Sequence, residues 1–326
     1  MKVLIAAGGS GGHLFPAEIL KKDLLKKGAT VLIAGHGLKK SALFNKADLF
    51  KDIQAANPKN PIQFIWKTLR GVFQSIQLLF SFSPDVVVGF GSFHTFPVLL
   101  GSLFFRKKII LFEANTSLGK VNRFFSPFAY KIAALFPINE KTELVSLLPW
   151  GKKVVSKEEA RKYYGIDENR FTILVFGGSQ GTAFFNDIMP EVSSRIDAQV
   201  IHLTGIGKKT SYNACIKEFE TKMDYAYAAA DLVISRSGAS TLTELIRHEK
   251  PSIVIPFPYS SEGQQEKNGR FVSRRVEGIR TLLQCDASAE KLVEEIQAIQ
   301  KNIHQLKSSF SNVDQKKRPL LSEVIF

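Results

Sequence analysis

The residues of this sequence that could do chemistry gather in a few turns. The first, Gly8-Gly9-Ser10-Gly11-Gly12-His13, directly follows a short apolar run. Glycines let backbone N–H groups approach an anion closely, and a helix starting there adds the positive end of its dipole. Such a turn suits a phosphate or diphosphate; the alternative is a tight turn with a purely structural role. It is not a dinucleotide fingerprint, because a frame from Gly9 puts Leu14 where the third glycine belongs. The next strand also ends Ala34-Gly35-His36, without the acid that would bind a ribose. No Walker lysine follows. His13 stands at the mouth of the turn, where a neutral imidazole can take a proton from a hydroxyl. A lone histidine is otherwise a structural residue.

Gly177-Gly178-Ser179-Gln180-Gly181 repeats the arrangement in the second half, with Ser179 and Gln180 offering a hydroxyl and an amide to phosphate or sugar oxygens. Arg236-Ser237-Gly238-Ala239-Ser240-Thr241-Leu242-Thr243-Glu244 follows the apolar run Leu232–Ser235. Its small residues permit close backbone approach at a helix N-terminus, which favours a phosphate. Glu244, about one turn inside, can accept hydrogen bonds from ribose hydroxyls. The same letters fit an ordinary capped helix, with Ser240 or Thr241 and Glu244 forming a capping box. Gln264-Gln265-Glu266-Lys267-Asn268 brings two amides and an asparagine to a helix start after Pro256-Phe257-Pro258, suited to sugar hydroxyls or simply a polar first turn. Neither half has an Asp-x-Asp pair, so no metal–diphosphate site is expected, and no cofactor.

These turns need strands before them and helices after them. Val3–Ala7, Thr30–Ala34, Asp85–Val88 and Ile109–Phe112 read as buried strands, and Pro16–Lys27 as a helix closed by Gly28. The pattern restarts with strands at Phe171–Phe176, Val200–Leu203, Leu232–Ser235 and Ser252–Pro256. Helices are expected over Phe184–Arg195, Ser240–Arg247 and Gln264–Arg275. Alternation of this kind implies right-handed βαβ units. The fold class is therefore α/β, with two Rossmann-like, doubly wound parallel-sheet domains facing a cleft. Ligands of such sheets bind at the carboxyl ends of the strands. The boundary is expected near Pro149–Ser156, giving an N-terminal domain over 1–149 and a C-terminal domain over 150–307, with the polar segment 308–326 packing back on the first.

With 326 residues, 44% of them apolar, each half can bury its own core. Cys215 and Cys285 lie in no metal-ligand or disulfide spacing, which points to a reducing compartment. No stretch reads as a signal peptide or a bilayer span, so the expected protein is soluble or lies on a membrane surface. Residues 1–150 carry 19 Lys/Arg against 8 Asp/Glu, and residues 151–326 carry 25 against 22. The excess of the first half is either a solvated lysine surface or a site for an anionic partner, nucleic acid or lipid. No helix-turn-helix, zinc-finger or RNP signature accompanies it. Ile62–Phe73 and Leu103–Lys108 mix apolar and cationic residues, as a surface on an anionic leaflet would, or as core flanked by solvated lysines would.

Six segments in order resemble one family, the MurG transferases: GGSGGHLFP (Gly8–Pro16), FGSF (Phe90–Phe93), FEAN (Phe112–Asn115), GGSQG (Gly177–Gly181), AYAAADLVISRSGASTLTE (Ala226–Glu244) and QQEKN (Gln264–Asn268). The resemblance covers nearly the whole chain. It implies a GT-B glycosyltransferase that moves GlcNAc, with inversion, from UDP-GlcNAc to undecaprenyl-diphosphate-linked MurNAc-pentapeptide in peptidoglycan synthesis. It further implies a peripheral protein at the cytoplasmic face of the plasma membrane, on an anionic surface, with other cell-wall enzymes as partners and no nucleic acid.

By the same resemblance, Ser10, Gly11, Gly12 and His13 face the acceptor and the transferred sugar, with His13 as base and Glu113 as reserve base or as a brace of its loop. Asn115 matches a sugar-contacting asparagine. Ser179, Gln180, Arg236 and the segment Ala239, Ser240, Thr241, Leu242, Thr243 and Glu244 hold the donor diphosphate and ribose. Phe219 and Glu220 fall where backbone groups hold uracil, and Gln264, Gln265 and Asn268 match groups that read GlcNAc. The chain departs from the family pattern at Phe112 and Ala114, where His and Gln are usual. It departs again at Pro149-Trp150-Gly151-Lys152, where Lys152 stands for a junction arginine without its bidentate geometry, and in a shortened segment after Gly205. Those departures keep open a catalytically weak sugar-nucleotide-binding homologue, and the donor half alone is equally compatible with another lipid acceptor such as diacylglycerol.

Overall fold

The computed structural model describes residues 1–9, 11–40, 49–56, 61–148, 155–178, 181–311 and 318–326. The chain forms two compact units, Met1–Pro149 with Lys317–Phe326, and Trp150–Lys316.

The first unit is built on a seven-stranded sheet of β1 (Lys2–Ala6), β2 (Thr30–Gly35), β3 (Phe50–Asp52), β4 (Val86–Gly89), β5 (Lys108–Glu113), β6 (Lys131–Ala134) and β7 (Thr142–Leu144). The order is β3-β2-β1-β4-β5-β6-β7, with every pairing parallel. Parallel strands are covered on both faces, which is why β1, β2, β4 and β5 read as unbroken apolar runs. Val3 of β1 stands opposite both Val31 and Val86. Leu4, Ala6, Val87, Ile109 and Leu111 pack with Leu79, Val98, Leu99, Val121 and Phe125, so the helices Pro61–Phe82, Phe96–Phe104 and Lys120–Phe125 cover one face together.

The 22-residue helix Pro61–Phe82 buries Gly71, Ser75 and Leu79, a stripe repeating every four residues. Gly71 approaches the Gln54 carbonyl so closely that a Cβ there would lie 1.9 Å away. The opposite stripe presents Trp66 (71% exposed), Phe73 and Phe80 (80% exposed). The apolar residues of the Ile62–Phe73 run that face outward are thus surface, not core. Among the described residues no helix is long and apolar enough to cross a membrane.

The first helix begins at Gly11 rather than Pro16, so Pro16 lies inside it and Gly12 lacks its i+4 N–H partner. At the other edge of the chain, Leu320 bridges to Ser146 beyond β7, and the helix Leu321–Ile325 buries Leu321, Ser322, Val324 and Ile325 in this unit.

The second unit has a six-stranded parallel sheet of β8 (Thr172–Phe176), β9 (Gln199–Leu203), β10 (Cys215–Lys217), β11 (Leu232–Ser235), β12 (Ser252–Val254) and β13 (Ile279–Thr281), in the order β10-β9-β8-β11-β12-β13. Ile173, Val175, Ile234 and Ile253 pack on Phe185, Met189, Leu292 and Ile296 of its helices. The two doubly wound sheets are those expected. In each, the strand order reverses beside the first strand, between β1 and β4 and between β8 and β11. A doubly wound sheet binds its ligand at that place.

Candidate functional site

In the first unit the switch point brings together the glycine turn after β1 and the Phe90–Thr95 segment after β4. Gly11, Gly12 and His13 form the first turn of the helix Gly11–Lys26, where backbone N–H groups lack intrahelical partners. His13 Nδ1 lies 2.8 Å from the Phe90 carbonyl oxygen. A carbonyl only accepts, so Nδ1 carries the proton and Nε2 carries the lone pair of the neutral ring. Burial lowers the His13 pKa below the usual 6.5, against the opposing pull of the Phe90 carbonyl and the Glu113 charge. The ring is therefore neutral at pH 7. Ser10 lies outside the described residues.

Glu113, the last residue of β5, is buried. Its Oε1 accepts from the Asn115 N–H (3.1 Å) and Asn115 Nδ2 (2.8 Å), and its Oε2 from the Gly119 N–H (2.9 Å) and Asn122 Nδ2 (3.0 Å). Each oxygen thus has two donors, and the carboxylate braces the loop that carries Asn115. Asn115 is held by that brace. Phe112, where the family pattern has histidine, is core: it is buried against Phe90 with ring centroids 4.9 Å apart.

In the second unit the turns after β8 and β11 meet at the corresponding place. Gly181 has φ +60°, and a Cβ on it would lie 2.0 Å from the Thr204 carbonyl, so only glycine permits that approach. Ser179 and Gln180 lie outside the described residues, as does Lys152. The helix Ala239–Arg247 starts at Gly238, which makes no side-chain cap, and its first backbone bond runs from the Leu242 N–H to the Gly238 carbonyl. The N–H groups of Ala239, Ser240 and Thr241 thus point out of the helix end without intrahelical partners. Leu242 itself is core, and Thr243 Oγ1 donates to the Ser240 carbonyl (2.7 Å).

Glu244 is not a capping-box residue. The cap is Gly238, and Glu244 Oε2 instead accepts from the Tyr227 hydroxyl at 2.7 Å. Tyr227 is buried and stacks on His248 at 4.7 Å, whose Nε2 lies 3.1 Å from Asp224. Burial raises the Glu244 pKa, with Tyr227 and Arg247 acting against it. Tyr227 leaves Oε1 for a further donor. Its part in the site went unnoticed in the sequence, although it lies inside the AYAAADL segment.

Arg236 belongs to the framework. Its Nη1 donates to the Ile255 and Pro256 carbonyls (3.0 and 3.1 Å), and its Nη2 to Thr182 Oγ1 and Gln284 Oε1 (3.0 and 2.7 Å). It lies against Phe184, Phe185 and Phe257, and burial lowers its pKa to about 10. A guanidinium committed to four acceptors ties β11, β12 and the β8 turn together and has no fork left for a phosphate. Glu220 is similarly engaged, by Tyr164 (2.9 Å), Lys217 (2.9 Å) and the Lys222 N–H (2.8 Å), whereas the Phe219 ring is exposed. Gln265 Oε1 accepts from the Phe257 N–H (2.9 Å); Gln264 is half-buried at the helix start and Asn268 is buried.

Residues 3–134 match the glycosyltransferase family 28 N-terminal domain, and residues 172–325 the family 28 C-terminal domain. A UDP-N-acetylglucosamine–N-acetylmuramyl-(pentapeptide) pyrophosphoryl-undecaprenol N-acetylglucosamine transferase of Protochlamydia amoebophila is 34% identical, over 91% of this chain and 87% of its own length. The protein of that name from Thermodesulfovibrio yellowstonii is 35% identical, over 84% and 83%. Among solved structures, Acinetobacter baumannii MurG superposes with a TM-score of 0.75 at 21% identity, covering 99% of this chain and 97% of that one. A Streptomyces glycosyltransferase, SsfS6 with thymidine diphosphate, superposes at 0.70 and 12% identity, covering 100% and 98%. Those two likenesses concern fold. With both domain models matched and relatives above 30% identity along most of its length, the chain belongs to the MurG family of glycosyltransferases.

Proposed function

We propose that the protein transfers GlcNAc from UDP-GlcNAc to the MurNAc 4-hydroxyl of undecaprenyl-diphosphate-linked MurNAc-pentapeptide, converting lipid I to lipid II. The observation that carries the mechanism is the His13 bond to Phe90, which leaves a neutral Nε2 lone pair at the carboxyl end of β1. His13 takes the proton of the acceptor hydroxyl as that oxygen attacks the anomeric carbon, and UDP leaves from the opposite face. The configuration inverts in one displacement. The open first turn of Ala239–Arg247 stabilises the diphosphate charge through backbone N–H groups, and Glu244 Oε1 accepts from the ribose. Ser179 and Gln180 add donors from the β8 turn, and Gln264, Gln265 and Asn268 read the GlcNAc. With backbone donors in this role and no Asp-x-Asp pair, the reaction needs no metal.

The acceptor is a membrane lipid, and the first unit is suited to meet it. Trp66, Leu69, Phe73, Phe80 and Phe104 are exposed on two helices that share one face of the sheet, interspersed with Lys67 and Arg70 and followed by Arg106, Lys107 and Lys108. Aromatic and cationic residues on one surface favour an anionic leaflet. The protein then works peripherally at the cytoplasmic face of the plasma membrane, where it adjoins other cell-wall enzymes. A transfer assay with UDP-GlcNAc and a short-chain lipid-linked MurNAc-pentapeptide tests the reaction. Formation of the disaccharide is expected; transfer to diacylglycerol alone would overturn the acceptor assignment.

A further inference from the structure

Two aromatic residues stand in the open at the carboxyl end of the second sheet. β11 and β12 are neighbours there, and the chain leaving β12 runs Pro256-Phe257-Pro258-Tyr259-Ser260 before the helix Gln264–Ser273 begins. Prolines on both sides of Phe257 fix their own φ angles and stiffen the loop. Gln265 pins it in three directions. Its Oε1 accepts from the Phe257 N–H (2.9 Å), its N–H donates to Ser260 Oγ (3.3 Å), and its carbonyl accepts from Ser237 Oγ (2.8 Å). Ser237 directly precedes the Gly238 cap of Ala239–Arg247, so the loop is tied to that bared helix end. It closes through Glu262 at φ +54° and Gly263 at +64°. A side chain is disfavoured in that left-handed region, and strain of this kind collects where a ligand is gripped.

On this frame the Phe257 ring centroid lies 5.6 Å from the Arg236 guanidinium and 5.7 Å from the Tyr259 ring, which stands edge-on at 74°. Phe257 is 42% exposed and Tyr259 84%. The Tyr259 hydroxyl has no hydrogen-bond partner among the described residues. A tyrosine left in water forgoes the burial of a large apolar body. At that exposure the faces of its ring are open.

A hexose in its chair form has an apolar side of C–H groups and a rim of hydroxyls. The C–H groups carry slight positive charge and are attracted to the negative face of an aromatic ring. The rim needs hydrogen-bonding groups, and Gln264 and Gln265 open the helix into which the loop leads. An aromatic face beside paired amides meets both aspects of one sugar. A diphosphate has no apolar side to lay against it.

We propose that Tyr259, steadied by Phe257, stacks on the C–H side of the hexose ring of the nucleotide-sugar donor. This rests on the donor role given to the second unit above. Tyr259 then restrains the sugar without touching the diphosphate or the ribose.

Tyr259→Ala removes the ring and Tyr259→Phe keeps it; neither disturbs the core, because the side chain is exposed. The full chain is titrated by calorimetry with UDP, UDP-GlcNAc and UDP-glucose. Tyr259→Ala should bind both nucleotide sugars about threefold to tenfold more weakly, the scale of one aromatic stacking contact, with UDP affinity unchanged. Tyr259→Phe should bind all three as the wild type does. A loss in Tyr259→Phe as large as in Tyr259→Ala would make the hydroxyl the contact and overturn the stacking. Equal affinities of wild type and Tyr259→Ala for both nucleotide sugars would overturn it too. So would an equal loss for UDP itself, which would put the ring against the base. In a parallel transfer assay Tyr259→Ala should raise the KM for UDP-GlcNAc and leave the acceptor KM unchanged. A raised acceptor KM beside intact nucleotide-sugar affinity overturns the stacking alone. A loss confined to UDP-glucose, beside a wild type that transfers no GlcNAc, overturns UDP-GlcNAc as the donor and leaves the stacking standing. Failure of the wild type to bind either nucleotide sugar overturns both.

Discussion

Replacing Glu113 by glutamine separates a brace from a base. Each carboxylate oxygen accepts two N–H donors, Asn115 N–H and Nδ2 on one, Gly119 N–H and Asn122 Nδ2 on the other. Glutamine has one acceptor oxygen, so its NH2 must face two donors whichever way the amide turns. Two hydrogen bonds to an ionised group are lost, about 1.5–3 kcal/mol each, and the surviving two become neutral. The sum is about 3–6 kcal/mol before the loop relaxes. At about 2–4 °C per kcal/mol for a domain of this size, the first unit should melt about 10 °C lower. Well below that temperature Asn115 loses only its anchor, and turnover should stay within about tenfold of wild type. A base would behave in the opposite way, removing a factor of about 10²–10⁴ in turnover. Melting curves and turnover on the same preparations decide it. A Glu113→Gln protein that melts with the wild type and has lost turnover by that factor would refute the bracing argument.

His13→Ala should lower turnover by about 10²–10⁴ with UDP affinity nearly intact, measured by steady-state kinetics and calorimetry. The base must be neutral to act and burial lowers its pKa, so activity should fall only as pH drops through a value below 6.5; an acid limb above 6.5 would contradict the assignment. Glu244→Ala should weaken UDP binding by about 1–3 kcal/mol. Tyr227→Phe, which frees Glu244 Oε2, should weaken UDP more than it weakens 2′-deoxy-UDP; equal losses for the two would place Glu244 away from the ribose. Binding to anionic vesicles should be salt-sensitive, and replacing Arg106, Lys107 and Lys108 by glutamine should weaken it without changing UDP affinity. Equal binding to neutral and anionic vesicles at low salt would count against the membrane surface.

Much of the architecture was legible because burial on both faces of a parallel sheet demands contiguous apolar residues. Lys2–Ala6, Thr30–Gly35 and Thr172–Phe176 could hardly read otherwise. The edge strands Phe50–Asp52 and Cys215–Lys217 are not legible in the sequence because each has one neighbour and is partly exposed, so neither needs an apolar run. Pro16 reads as a helix start, but the glycines before it already have helical conformation, so the helix begins at Gly11. Arg236 read as a phosphate ligand because its acceptors, at Thr182, Ile255, Pro256 and Gln284, lie far along the chain from it.

By itself, then, the sequence determined the two α/β sheets, the places where backbone N–H groups are bared, and the half that carries the positive charge. Each of these follows from local composition: apolar runs make buried strands, glycine permits the turns, and charge counts do not depend on geometry. Strand order decided the rest. Because β1 lies between β2 and β4, His13, His36 and His94 meet over one turn. Because β5 is followed by the Asn115–Gly119 loop and the helix bearing Asn122, Glu113 meets two donors on each carboxylate oxygen. Tyr227 reaches Glu244 across the β11 turn, which ties the carboxylate to a buried hydroxyl instead of to its own helix cap. Contacts between residues distant in the chain depend on which strands are neighbours, and no local periodicity encodes that.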